Sequence, residues 1–409
     1  MRHALPEYHI RPGYGWLNDP NGVTRYGDRW HVFFQHNAAA PVHGNIQWGH
    51  VSSSDLASWT EHPVAFGPTV GGPDAGGCWS GVFARDLGRP AVVYSGIAGE
   101  TPHSTVCLRW GSPDLLAWSD PIVVAETPTE LGVVVMRDPY VFTFEGRRWA
   151  LLGAELEGRE AAVLRFSCDD ILAWRYEGIV AQHSDPVLDA IPEGEIWECP
   201  QLIVDGDAAA LVVSVQRDRQ LEEVMWAVGR LESESGAPHF VASTIGELDH
   251  GRSFYAPQIV ADDSGALCFG GVRELDRHPA PPPVAGCLTL PRRLRIAGQE
   301  VVSDVDPGVV EVLTRGGETT ALATGRHTVS AGRVVVSGPA LLSAEGDPSI
   351  QLDLPAGGTV WLDADVAEAF VDGDAPTTRR GLGDWVLDLP DGSAAALTEV
   401  RAEQQWQAR

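Results

Sequence analysis

The chain of 409 residues contains no lysine at all: its 29 basic residues are all arginines, set against 56 aspartates and glutamates. A net charge of −27 repels polyanions, so composition excludes nucleic acid and anionic membrane surfaces as partners. Cysteine is scarce and scattered, at positions 78, 107, 168, 199, 268 and 287. No Cys-x-x-Cys pair occurs, so neither a zinc site nor a disulfide framework is implied, and the thiols are expected to be reduced. Long apolar runs are missing too: nothing approaches the roughly 18 consecutive residues of a membrane helix. The first residues, MRHALPEYHI, lack the apolar core of a secretion signal, which reads as a cytoplasmic protein. What remains is a composition of 44% hydrophobic and 21% charged residues, that of a globular chain long enough for two or three domains.

Helical periodicity is hardly present, and in its place one short phrase recurs. It appears as SDLASW (54–59), PDLLAW (113–118) and DDILAW (169–174), with the tryptophans 59 and 56 residues apart. Around each copy lie short β-rich runs such as WHVFFQH, AVVYSG and WALLGA, punctuated by Gly, Pro and Asp. Modules of this length hold four strands, and such modules in series imply a β-propeller. Five of them reach to about LPRRL (290–294), although only three copies of the phrase are visible. Eleven tryptophans precede residue 295 and three follow it. The expectation is therefore an all-β protein, with a five-bladed propeller over 1–295 and a small antiparallel β-sandwich over 296–409. Within the tail, Asp372-Gly373 is a hairpin signal.

The stretch GWLNDPNG (15–22) poses the functional question. Asn, Asp, Pro and Gly are turn residues, and by local rules Asp19 merely helps to bend the chain. The repeat changes that reading. Asp138 lies 119 residues after Asp19, and Glu198 lies 60 residues after Asp138, which are two repeat lengths and one. Continued, the register meets Trp79-Ser80 and Tyr255. Inner strands of a propeller converge on one mouth, so three acids would meet there, with Arg137 beside them. An inter-blade ion pair is the structural alternative. Crowded carboxyls raise one another's pKa, which suits Glu198 to the general-acid part of glycosidic cleavage. Trp16, Trp48, Trp79, Asn18 and Gln35 are residue types that pack on and bind sugars. No ligand spacing for a metal surrounds the acids.

These motifs, in order, resemble glycoside hydrolase family 32, the β-fructofuranosidases: YHIRPGYGWLNDPNG, FFQHN, GNIQWGHVSSSDLASW, CWSG, RDP, WECP, LDHGRSFYAPQ and AGCLTLPRRL, then VAEAFVDG in the tail. The resemblance implies a propeller plus sandwich, and a retaining mechanism with Asp19 as nucleophile, Glu198 as acid/base and Asp138 as transition-state stabiliser. It implies that Asn18, Gln35, Trp79, Ser80 and Arg137 hold the fructosyl ring, and that no metal or organic cofactor is used. Trp48 and Tyr255 complete the substrate-binding set read from the sequence. The expected partner is a small fructoside such as sucrose, sucrose 6-phosphate or a short fructo-oligosaccharide. A fructosyltransferase on the same fold and a catalytically silent sugar-binding module are the rivals, and a homo-oligomer through the sandwich or a blade edge is left open.

The departures fall on what reads as the rim. His43 stands where many members have Trp, Ser253 replaces the Asp of DFYA, and Gly271 replaces the Trp of a common Gly-Trp pair. Arg252 is a contact for a phosphorylated substrate in one reading and His43 is a rim residue or an idle loop histidine, while His50 is expected to make a structural hydrogen bond. The run Ala280–Pro283 reads as a surface loop.

Overall fold

A computed structural model describes residues 5–99, 103–262, 264–274, 283–381 and 383–406; all of the run at 280–283 except Pro283 lies outside them. Five successive sheets each contain four antiparallel strands in chain order, beginning at Gly15–Tyr26, Gly77–Phe83, Val133–Phe144, Ile196–Asp205 and Phe254–Asp262. These five leading strands pack side by side in sequence, and the fifth packs on the first. A two-residue strand, Val284–Ala285, joins the first sheet in parallel beside Gly15 and Trp16. The second strands are buried on both faces, so Ala208–Arg217 reads AAALVVSVQR without alternation.

The recurring phrase is the corner between the third and fourth strands of sheets one to three. In each copy the aspartate accepts the amide two residues on: Asp55 from Ala57 at 3.0 Å, Asp114 from Leu116 at 3.1 Å and Asp170 from Leu172 at 3.0 Å. The following aliphatic residue is buried and the tryptophan closes the corner; in two copies its Nε1 donates to that residue's carbonyl, Trp118 to Leu115 and Trp174 to Ile171. Sheets four and five turn this corner with tight hairpins at 235–236 and 298–299 instead. That is why the phrase vanishes after Trp174.

Strand Arg292–Ala297 crosses the position where the change of composition was read. It pairs with Gly265–Val272 on one side and Glu300–Val305 on the other, within the fifth sheet. A helix, Pro307–Thr314, follows with Asp306 as its N-cap, accepting from the amides of Gly308 and Val309. The remaining chain forms a six-stranded and a four-stranded sheet over one apolar core that includes Val334, Leu342, Leu352, Val360, Leu362 and Leu387. Its tail returns to the first sheet, where Gln405 bridges Thr60.

Between the five sheets and these two lies a buried ionic cluster. His9 sits between Asp363 (2.8 Å) and Glu368 (2.9 Å), and Arg292 reaches Glu368 through Nε at 3.0 Å and Asp249 through Nη1 at 2.8 Å. Arg380 adds contacts to Asp365 at 2.8 Å and Glu274 at 2.9 Å. All of these side chains are buried or nearly so.

Candidate active site

Each of the five leading strands carries a bulge near its start: between Leu17 and Pro20, Cys78 and Gly81, Arg137 and Tyr140, Glu198 and Gln201, and Tyr255 and Gln258. A bulge sets two residues opposite one and re-aims side chains that would otherwise alternate. This matters because the three acids are not in identical register. Asp19 and Asp138 directly precede a proline, whereas Glu198 stands one residue earlier, before Cys199-Pro200. The backbone pays locally, with φ of +61° at Asp138, +47° at Cys199 and +46° at Ala256, a region costly for residues with a Cβ.

The bulges bring the three acids into one cluster. Asp19 Oδ2 accepts from Ser80 Oγ at 2.6 Å and from Gln35 Nε2 at 3.2 Å, and Gln35 also donates to Ser80. Asp138 Oδ2 accepts the Cys199 amide at 3.1 Å, and its own amide donates to Ser95 Oγ at 2.7 Å. The Cys199 thiol lies 3.9 Å from Asp19 Oδ2. Glu198 is held by Arg137 at 2.8 Å, by the Tyr255 hydroxyl at 2.6 Å and by Gln216 at 3.3 Å. Arg137 lies over the Trp79 ring at 5.6 Å and near Asp138 at 3.9 Å.

One guanidinium thus serves three carboxyls. Burial raises Asp19 to about 8; the Ser80 hydrogen bond and Arg137 pull down, while Asp138 and Glu198 push up. Burial likewise raises Asp138, against the pull of Arg137. The titration belongs to the cluster, not to single residues. Its sum is that near neutral pH the cluster holds a proton. Two polar atoms in this group, Asn18 Oδ1 and Arg137 Nε, are buried without a hydrogen-bond partner among the described residues. Both are suited to a ligand's hydroxyls.

Asn18, Gln35, Trp79, Ser80, Arg137 and Tyr255 all sit in or against this cluster, but Trp48 does not. It is wholly buried, packed against Phe33 and Phe66, and its indole donates to the Trp79 carbonyl at 3.1 Å. It supports Trp79 from below and has no face for a sugar. Tyr255, 3% exposed, acts through its hydroxyl on Glu198. Ser253 leaves the rim as well: it is buried, accepting the Arg380 amide at 3.1 Å against the C-terminal sheets. Gly271 lies under the site, where a Cβ would stand 2.7 Å from the Asn18 carbonyl.

His43 packs edge-on against Trp16, ring centroids 5.1 Å apart. Arg252 is exposed and ion-paired with Glu222 at 3.2 Å. His50 makes the expected internal bond, to His31 at 2.9 Å. Cys199, Gln216 and Ser95 belong to the site without having been assigned a role from the sequence, although Cys199 lies inside WECP and Ser95 inside the run AVVYSG. Among the described residues, no group of three His, Cys, Asp or Glu side chains is arranged to hold a metal ion, and no helix is long and apolar enough to cross a membrane.

Comparison with known proteins gives a consistent result. The profile of the glycosyl hydrolases family 32 N-terminal domain matches residues 9–304. A sucrose-6-phosphate hydrolase of Escherichia coli is 32% identical over 314 residues, covering 71% of this chain and 62% of that protein. One of Bacillus subtilis (strain 168) is 31% identical over 316 residues, covering 73% and 64%. The matched region is thus under two thirds of these relatives' length. Among solved structures, a Bombyx mori GH32 β-fructofuranosidase superposes with a TM-score of 0.81 at 22% identity, covering 98% of this chain and 94% of its own. Sucrose-6-phosphate hydrolase from Lactobacillus gasseri gives 0.82 at 20% identity, covering 97% and 93%.

Proposed function

Because the chain belongs to glycoside hydrolase family 32, we propose that it is a retaining β-fructofuranosidase, releasing terminal non-reducing fructosyl residues from sucrose, sucrose 6-phosphate or short fructo-oligosaccharides. The observation that carries this is the unequal treatment of two carboxylates in one cluster. Asp19 is aimed by Ser80 and Gln35, while Glu198 is held by Arg137 and Tyr255. Asp19 attacks the anomeric carbon as Glu198 passes a proton to the leaving oxygen, so the glycosidic bond breaks as the fructosyl-enzyme ester forms. Glu198, now a carboxylate, takes a proton from water, whose oxygen displaces Asp19 and regenerates both acids. Asp138 and Arg137, with Asn18 and Trp79, orient the ring and its hydroxyls.

The architecture fits the same reading. Five sheets whose leading strands neighbour one another, the fifth against the first, support a five-bladed propeller, and two sheets over one core support a β-sandwich. The expected division at 295/296 is best carried on to Val305, so that the outer hairpin stays with its sheet. We place the enzyme in the cytoplasm, acting on small imported fructosides. The test is fructose release from sucrose, sucrose 6-phosphate, raffinose, inulin and levan. Release from at least one of the first three, abolished by Asp19→Asn, is expected; release that survives Asp19→Asn would sink the mechanism.

A further inference from the structure

Beneath the acids, the inner strands are stitched together by glutamine side chains. Gln258 is 5% exposed, with both ends of its amide engaged. Its Oε1 accepts the Val23 amide at 2.5 Å and its Nε2 donates to the Gly81 carbonyl at 2.9 Å. Val23 lies four residues after Asp19, inside the register shift between Asn21 and Thr24, where the ladder with the second strand lapses. Gly81 directly follows Ser80. Asn21 reinforces the link, its Oδ1 accepting the Gly81 amide at 3.3 Å. No ladder joins the Asp19 strand to the Ser80 strand, since they lead different sheets. Their mutual position is left to such cross-links. Gln201 offers an internal contrast: it makes the same kind of bond, Oε1 accepting the Ile259 amide at 2.9 Å, but it joins sheets four and five, its Nε2 donating to the Pro200 carbonyl.

We infer that Gln258 is a positioning residue for the nucleophile: by tying the Asp19 strand to the Ser80 strand it holds the Ser80–Asp19 hydrogen bond in register. The inference rests on the reading of Asp19 as nucleophile. It is independent of the leaving group, since Gln258 lies below the sugar site. The bond it protects stabilises the carboxylate of Asp19, so slackening it moves ionisation of Asp19 to higher pH.

The test is the acid limb of the kcat/KM profile for Gln258→Met, Gln201→Met, Asn21→Ala and Ser80→Ala, with Tm recorded for each. Gln258→Met and Ser80→Ala are expected to move the limb upward by about one pH unit, the order of a hydrogen bond to a charged group. Asn21→Ala should shift it in the same direction by less. Combining Ser80→Ala with Gln258→Met should add nothing further, because both remove one interaction. Gln201→Met should lower Tm comparably and leave the limb in place. A limb unmoved in both Gln258→Met and Asn21→Ala, or fully additive in the double variant, overturns the inference. A 13C titration of the Asp19 carboxyl in substrate-free protein reads the same shift without turnover. A protein that releases no fructose therefore defeats the functional reading, and an unshifted carboxyl defeats this one.

Discussion

Two buried ionic clusters stand within the same fold, and each holds one carboxyl, Glu368 in the one and Asp19 in the other, that is treated in the opposite way. In the cluster between the five sheets and the C-terminal pair, burial pushes Glu368 up, but Arg292 and His9 outweigh it and bring the group to about 2. His9 is pushed down by burial and carried by Asp363 and Glu368 to about 9. At the candidate active site, burial prevails and Asp19 rises to about 8. Residue types and depth are similar. The difference is the cations in contact: Glu368 meets two, His9 and Arg292, Asp249 meets Arg292 and is still raised by burial, and Asp19 meets none among the described residues, since Arg137 pairs with Glu198 and Asp138. Burial taxes every charge, and paired charges alone recover the loss. The structural carboxyl, Glu368, is given two counter-charges; the reactive one, Asp19, is kept short of them so that a proton stays available.

The largest predicted effect follows from removing the unbalanced acids. Asp19→Asn and Glu198→Gln should each lower fructose release by about 10⁴-fold or more, with folding intact by circular dichroism. Breaking the cluster at the C-terminal sheets should do the reverse: Arg292→Met leaves Asp249 buried without its cation and Glu368 with His9 alone, and should cost about 3–5 kcal/mol in urea unfolding, while activity per folded molecule changes little.

The two clusters also differ in their response to pH. His9 is raised when folded, so its contribution is complete below its unfolded value of 6.5 and lost as pH rises through about 9. Glu368 is lowered, so its contribution is complete above 4.5 and lost as pH falls through about 2. Asp19 is raised, and the stability it allows is complete below 3.8 and lost as pH climbs through about 8. Asp19→Asn, which cannot ionise, should therefore gain Tm over the parent, with the gap widening from pH 4 to pH 8; a constant gap would contradict the raised carboxyl. The smallest effect belongs to the seam: Ser253→Ala removes the acceptor for the Arg380 amide and should cost about 1 kcal/mol without changing KM.

The sequence exposed the acids because they lie next to punctuation. Proline and glycine mark the bulged starts of the leading strands, and the repeat length spaces those starts, so Asp19, Asp138 and Glu198 could be aligned to within a residue. The one-residue offset of Glu198 from its proline can be read in the sequence, but the bulges that bring the offset acid into the cluster leave no mark in spacing. Trp48 was misplaced for a related reason. A tryptophan on a strand reads alike whether its face is open or covered, and here Phe33 and Phe66 cover it. Ser253 read as rim because its partner, Arg380, stands 127 positions away. Still greater distance hid the cluster at the C-terminal sheets, in which His9 meets Glu368 across 359 residues. Local pattern reports turns and periods; it does not report which distant strand arrives to cover a face.

The short strand Val284–Ala285 carries a consequence for how the molecule is made. Gly15 and Trp16, four and three residues before the nucleophile, have the adjacent strand on one side but find their neighbours on the other side only when residues 283–285 arrive, and Thr60 waits for Gln405. Contacts of such separation are formed late and slowly. On the ribosome, the first sheet must stay incomplete while the next three and the first half of the fifth are synthesised. A nascent chain of this protein therefore acquires its reactive carboxylate early but its reactivity last.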